Sequence, residues 1–569
     1  MRRLADLEVM VLDCQATGAD PSKGRLLEIG WARTSASDDR TPLSHAESYL
    51  VQWPNDAEIP RRVQRVTGLH LEDLVSSTAI SPAEVWTLVT TAADEVAKAD
   101  AEDTCPTIIH FSRFEEAYLR QLHSELTSES SFPFDIICTH EIVRRLLPEL
   151  PRRGLRAVAG YFGHTVPELR RSAHHVVATV RIWHRLVDIL EKQHAIQTLE
   201  ELRSWLATTE GSITCGRAYP MEVDVRLRLP QQPGVYRMLR SNGDLLYIGK
   251  ARSLKKRVNS YFQKRRHHSE HILEMLTQAC QLDVTITESA LEAAIQESDE
   301  IKQWSPPYNI ALRERNRRIA FSSPDGQRSH TEPSDEHPIG PLPSLDSLWP
   351  LGMLAEALRV GTDFLVEDGS TKLGMLPEYA PETDCLFTGV ELFRSKHSQR
   401  LSGDFGLSTL TRLGCELWRE RLQLADEQDP EEDEEERDSK ETWEWTPERV
   451  ATWLENLATR GSHLVRRGRW LCLLSESVLT WETKNVGEHR KTLVFSKGKL
   501  HTRERDLLPD FAKTLRDRQK SFDIATYDRL VVVTTELKRL LSEDRQVEIR
   551  LRDNVVLRNE KLAKGLRWV

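Results

Sequence analysis

Residues 234–262 read GVYRMLRSNGDLLYIGKARSLKKRVNSYF. Two short apolar stretches, GVYRML and LLYIG, flank the turn SNGD, and this pattern predicts an antiparallel hairpin. LKKRVNSYF then has helical spacing, LDVTITES predicts a strand, and ALEAAIQESDEIKQW predicts a helix stopped by Pro306 and Pro307. From Lys250 to His268 the chain carries eight Lys or Arg and no acid, so this small α/β unit offers a phosphate-binding surface.

The whole chain has 569 residues, enough for three or four units at roughly 150 residues each. Hydrophobic residues at 39% and charged residues at 29% suit packed cores and exclude a disordered or collagen-like chain. The net charge of −10 comes almost entirely from Asp426–Asp438, where ten acids and one arginine sum to −9, leaving −1 for the rest. A block of this kind repels itself and stays solvated, so it reads as a linker. No apolar run approaches the roughly 20 residues of a membrane span, and MRRLADLEVMVLDCQ lacks a secretory signal. A cytoplasmic protein with no membrane contact is expected. The eight cysteines form no CxxC pair, so neither a zinc knuckle nor a disulfide framework is indicated.

Outside the central unit, LEVMVL (7–12) and LLEIGWAR (26–33) predict strands, as does CPTIIHF (105–111), with helical patterns at 81–100, 113–127 and 138–148. The expected order is an α/β domain at 1–195, a connector at 196–224, the central unit at 225–315 and a linker at 316–345. A helical region at 346–424, the acidic linker at 425–442 and an α+β unit at 443–569 complete it. Nothing in residues 320–569 carries specific chemistry.

LPQQPGVYRML, LLYIGKARSLKKRVNSYF and ITESALEAAIQESDEIKQWSPPYNIALR together resemble the GIY-YIG endonuclease domain of UvrC-type repair nucleases and their Cho-like relatives. The one local departure is an extra residue in the hairpin. The resemblance implies a catalytic set of Tyr236, Tyr247, Lys250, Arg257, Tyr261, Glu297 and Asn309, with Glu297 holding a single Mg²⁺ or Mn²⁺. Arg252, Lys255, Lys256, Lys264, Arg265 and Arg266 supply the expected nucleic-acid contacts. The chemistry needs these types. A glutamate is a hard oxygen ligand that leaves room for water and phosphate, and an arginine fork matches two phosphate oxygens. A tyrosine is a base near neutral pH only when a neighbouring cation lowers its pKa. Tyr236 is the favoured base, Tyr247 the alternative, with Lys250 and Arg257 as the cations.

The first 190 or so residues resemble the DnaQ-like, DEDDh family of 3′-to-5′ exonucleases, which implies a ribonuclease-H-like fold. VLDCQATG stands at that family's DxET(T/S)G, RVTGLHLEDL at its TGI segment, IIHFSRFEEAYL at its HNxxFDxxFL and RSAHHVVATV at its HxAxxDA motif. On this alignment the site comprises Asp13, Gln15, Glu115, His174 and Thr179. Gln15 and Thr179 replace two of four carboxylates, so two cations are poorly compensated and the domain reads as a degenerate exonuclease used for DNA binding. The expectation is a multidomain α/β and α+β protein: a ribonuclease-H-like domain, a GIY-YIG domain, a helical region and a C-terminal α+β unit. Its expected activity is a Mg-dependent strand nick in DNA repair, with DNA and a UvrB-like helicase as partners. A defence nuclease and a non-catalytic DNA-binding scaffold are the alternatives.

Overall fold

The computed structural model describes residues 2–38, 46–54, 59–76, 78–100, 102–127, 131–164, 170–208, 218–263, 268–309, 317–367, 370–374, 380–401, 403, 405–427, 444–482, 490–501, 509–543, 545–552 and 555–567. The chain divides into two compact units, Met1–Ala293 with Pro306–Ile310, and Ala294–Ser305 with Ala311–Val569.

The first unit opens with β1 (Val9–Ala16), β2 (Leu26–Thr34), β3 (Glu47–Leu50), β4 (Cys105–Ile109) and β5 (Phe134–Cys138), in spatial order β3-β2-β1-β4-β5. β1 pairs antiparallel with β2 and parallel with β4. Its apolar run is continuous because both faces are covered. Val9 and Val11 enter the core built on helix Ser172–His194, while Met10, Leu12 and Cys14 enter the core of helix Pro82–Asp100. Glu28 on β2 is fully buried, takes Arg171 through both carboxylate oxygens, and accepts from the Ser172 amide. That ion pair fixes the start of helix Ser172–His194 against the sheet.

A second sheet, order β7-β6-β8, is antiparallel throughout: β6 (Gly234–Leu239), β7 (Leu245–Ala251) and β8 (Gln281–Ile286). The hairpin is where the sequence pattern puts it. Helix Glu270–Gln278 packs on helix Leu155–Tyr161 of the preceding domain, with ion pairs Arg152–Glu270 and Arg156–Glu274 and a bond from the Arg152 amide to Thr277 Oγ1 at 3.1 Å. Both sheets therefore belong to one unit.

In the second unit the expected linker at 316–345 is folded. Ala320–Ser322, Ser329–His330 and Ile339–Leu342 form a three-stranded sheet, and Ala320, Phe321 and Leu342 are fully buried. Strands this short, set among Ser and Pro, carry no periodicity to read. The expected boundary between 346–424 and 443–569 is also not a boundary. Val450, Ala451, Leu454 and Ala458 of helix Pro447–Leu474 share one core with Leu386, Val390 and Phe393 and with Leu407, Leu410 and Leu413. A five-stranded antiparallel sheet, Lys499–His501, Arg490–Ser496, Ser477–Glu482, Val547–Arg552, Val555–Arg558, and helix Ile524–Ser542 complete the unit. The acidic tether at 425–442 lies outside the described residues except for the end of helix Leu407–Glu427.

If residues 316–345 are core, Phe321→Ala opens a cavity and costs about 3–5 kcal/mol. Urea unfolding of the full chain measures it, and a loss under about 0.5 kcal/mol, the range of a surface change, contradicts the burial.

Candidate functional site

β6 and β7 build the central site. Cross-strand partners share a face, so the pairs Tyr236↔Gly249 and Met238↔Tyr247 put both tyrosines on one side of the sheet. Gly249 is required there, because a Cβ at this position would strike the rings of Tyr236 and Tyr247. The Tyr236 hydroxyl lies 2.9 Å from that of Tyr261. Arg257 Nη2 donates to the Tyr261 hydroxyl at 3.1 Å, and the guanidinium carbon sits 5.0 Å from the centre of that ring. Arg257 and Tyr261 are one turn apart on and just after helix Leu254–Ser260, which Ser253 caps by accepting the Lys256 amide. Arg257 is itself exposed, so a phosphate can reach it.

Burial ranks the two candidate bases. Tyr236 is fully buried, and burial together with Tyr261 and Tyr247 holds its hydroxyl well above the usual phenol range despite Arg257. Tyr247 is half-buried. Of the two tyrosines, Tyr247 is the less buried. Strand alternation sets Lys250 beside Val235, on the face opposite Tyr247, where it is exposed. Arg257 remains as the cation among the tyrosine rings.

Asn309 does not present its amide to solvent. Its Oδ1 accepts from the Ile248 amide at 3.0 Å and its Nδ2 donates to the Ile248 carbonyl at 2.9 Å. It thus holds the stretch of β7 between Tyr247 and Gly249 and is a positioning residue. Glu297 is half-buried in helix Ala290–Trp304, on the stretch that belongs to the second unit. Arg252 and Lys256 are exposed and Lys255 is half-buried; Lys264, Arg265 and Arg266 lie outside the described residues. The sequence reading missed His268, whose Nε2 donates to the Tyr261 carbonyl at 2.7 Å and whose ring stacks on Tyr261 at 6.2 Å. Its only signal was its place at the end of the basic run.

The N-terminal residues gather around β1. Asp13 Oδ1 meets the Nδ1 of His175 at 3.1 Å, whereas His174 is exposed. The histidine that reaches Asp13 is therefore His175. Gln15 Nε2 donates to the Arg170 carbonyl at 2.7 Å, and Thr179 is buried. Asp13 Oδ2, Gln15 Oε1 and Glu115 Oε2 are buried with no hydrogen-bond partner. Asp13 and Glu115 line a cleft of about 840 Å³ whose far wall includes Glu270 and His271 of the second sheet's domain. Burial, then Asp13, pushes the Glu115 carboxyl up to about 9. Burial also raises Asp13, against the opposing pull of His175. Burial and His140 push His110 down to about 3. Among the described residues no group of three His, Cys, Asp or Glu is arranged to hold a metal ion.

Glu115 stays protonated in the fold at pH values where the unfolded chain has ionised it. Between the ordinary carboxylate pKa near 4.3 and about 9 the unfolded state binds fewer protons, so stability falls as pH rises. Glu115→Gln removes that term. Its thermal midpoint is expected to exceed that of the parent protein by more at pH 8 than at pH 5, as read by circular dichroism.

The UvrC-like GIY-YIG domain family matches residues 232–310. The UvrABC system protein C of Clostridium beijerinckii is 44% identical over 86 residues, which are 15% of this chain and 14% of that protein. That of Psychrobacter cryohalolentis is 48% identical over 87 residues, again 15% and 14%. This chain thus spans 14% of the length of those relatives. The magnesium-bound GIY-YIG N-terminal endonuclease domain of UvrC from Thermotoga maritima is 31% identical and aligns with 16% of this chain and all of that one, with a TM-score of 0.15. The zinc-bound complex of Escherichia coli exonuclease I with single-stranded DNA is 14% identical over 41% of this chain and 48% of that one, with a TM-score of 0.28. Likenesses this slight in TM-score carry no weight for the residues above, whereas the matched sequence does. Residues 232–310 are therefore a UvrC-like GIY-YIG domain.

Proposed function

We propose that the protein is a divalent-cation-dependent DNA endonuclease that nicks one strand in repair, as UvrC- and Cho-type enzymes do, and that its N-terminal domain binds DNA without cutting it. The observation that carries the first part is the chain of hydroxyls and guanidinium, Tyr236–Tyr261–Arg257, within the matched segment. Glu297 offers one carboxylate, a hard oxygen donor of the kind Mg²⁺ accepts when water and phosphate complete its shell. The residues present fit that ion. A bound Mg²⁺ would neutralise the non-bridging phosphate oxygens and the developing charge on the leaving oxygen.

The chain's own residues do the rest. Arg257 binds the scissile phosphate with the N–H groups that Tyr261 leaves available. Tyr247, reachable from solvent, takes the proton of the attacking water. Tyr236 keeps its own proton and orients Tyr261, which in turn orients Arg257. The water oxygen bonds to phosphorus as Tyr247, acting as its phenolate, takes the water's proton; the bond from phosphorus to the 3′-oxygen breaks, and that oxygen takes a proton from solvent, leaving a 3′-hydroxyl and a 5′-phosphate. Exposed Arg252 and Lys256 grip the backbone on either side.

For the N-terminal domain, Gln15 and Thr179 are neutral where the resemblance places carboxylates, which leaves Asp13 and Glu115 to compensate the cations. Two cations need more. The cleft is kept and the two-metal chemistry is lost. A UvrB-like helicase remains the partner that the UvrC resemblance implies.

The test is incubation of the purified protein and Mg²⁺ with labelled intact, lesion-bearing and branched duplexes. Glu297→Gln and Tyr247→Phe are each expected to slow nicking by about 10²–10³-fold, the scale for removing one group that acts in the transition state. Duplex binding is retained in both. Wild-type rates in both variants would sink this reading. Release of mononucleotides that survives Glu297→Gln and disappears with Asp13→Ala would move the chemistry to the N-terminal domain.

A further inference from the structure

Helix Ala290–Trp304 carries Glu297, and the residues beside Glu297 are tied by charge to helix Ile524–Ser542. Ser298 is fully buried, and its Oγ accepts from Lys302 Nζ at 3.1 Å. Lys302 pairs with Asp528 at 3.5 Å, both side chains being 6% exposed. Asp528 also takes Arg317 at 3.2 Å. On the next residue of the same helix, Arg529 Nη2 and Nε donate to Asp299 Oδ1 at 2.9 and 3.2 Å. Arg529 Nη1 donates to the Gly498 carbonyl at 3.0 Å, which fixes the guanidinium at its other end.

Burying a lysine with an aspartate is a poor way to gain stability, because desolvation cancels most of the attraction. What such a pair does supply is register, since it is satisfied in one arrangement only. A shift of helix Ala290–Trp304 by one residue is a 1.5 Å translation with a rotation of about 100°. That movement would break Asp299–Arg529 and Lys302–Asp528 together and carry the Glu297 carboxylate with it. Residues 298, 299 and 302 lie within a turn and a half of Glu297, so the two ion pairs fix its height and its direction around the helix axis.

We propose that Asp528 and Arg529 are positioning residues for Glu297, fixing the register of the helix that carries this carboxylate. This rests on the reading of Glu297 given above. It assigns a role to a part of the chain in which the sequence shows no chemistry.

The experiment uses the full chain and follows duplex nicking against Mg²⁺ concentration, duplex binding in EDTA, and thermal unfolding. Arg529→Asp and Asp299→Arg are each expected to raise the Mg²⁺ needed for half-maximal nicking by about tenfold, the low end for loss of a residue that orients a metal ligand. Binding in EDTA is unchanged. The exchanged pair, Asp299→Arg with Arg529→Asp, restores the Mg²⁺ dependence toward that of the parent. Asp528→Asn keeps the shape of the side chain and raises the Mg²⁺ requirement in a protein that still folds. A lowered melting point with unaltered Mg²⁺ dependence in the single variants overturns the proposal, as does an exchanged pair no better than either single. Wild-type nicking by Glu297→Gln would instead remove the reading of Glu297, whatever Arg529 does.

Discussion

A ring occupies the space where residue 249 would have a side chain, and the central site depends on that. Because Gly249 has no Cβ, Tyr236 can lie across β7 and place its hydroxyl against Tyr261. Tyr261 can then accept from Arg257, and the cation is delivered to the same face of the sheet as Tyr247. The rest of the unit maintains this contact. Asn309 holds β7 through the residue before Gly249, Ser253 caps the helix that carries Arg257, and His268 stacks on the outer side of Tyr261. A fully buried phenol is expensive to ionise, so the arrangement suits Tyr236 to hydrogen bonding with Tyr261.

The N-terminal domain shows the opposite economy of charge. Three buried acceptor oxygens, on Asp13, Gln15 and Glu115, lack donors, although buried polar atoms are ordinarily paired. Glu115 answers by keeping its proton and Asp13 by leaning on His175. Such a cluster stores unfavourable electrostatic energy inside the domain.

Much of this was legible in the sequence. The hairpin of β6 and β7, the run of β1 and the helices around Pro82–Asp100 and Arg113–Leu126 follow from periodicity and turn chemistry. The central residues follow from motif spacing, which constrains order along the chain and not the side of a strand or helix. That Lys250 lies on the face of β7 opposite Tyr247 is therefore set by the register and not by the motif. His174 was chosen over His175, since adjacent residues in a helix point about 100° apart and nothing local distinguishes them. The short strands at Ala320–Ser322 and Ile339–Leu342 are held by burial of Phe321 and Leu342 against residues far away in sequence, and composition alone made that segment look like a tether. The grip of Arg529 on Asp299 spans a separation that no local pattern encodes.

The pair Glu28–Arg171 bears on how such a chain can change over time. It fastens helix Ser172–His194 to β2 through a bidentate contact, with the Ser48 hydroxyl and the Ser172 amide completing the shell of the carboxylate. Glu28 also stands across the β1–β2 pair from Gln15, and its charge adds to the upward push on the Asp13 carboxyl. The carboxylate that fastens the helix is thus a neighbour of the residues at the mouth of the cleft, and a change at position 15 bears on the attachment of the helix as well as on the cleft.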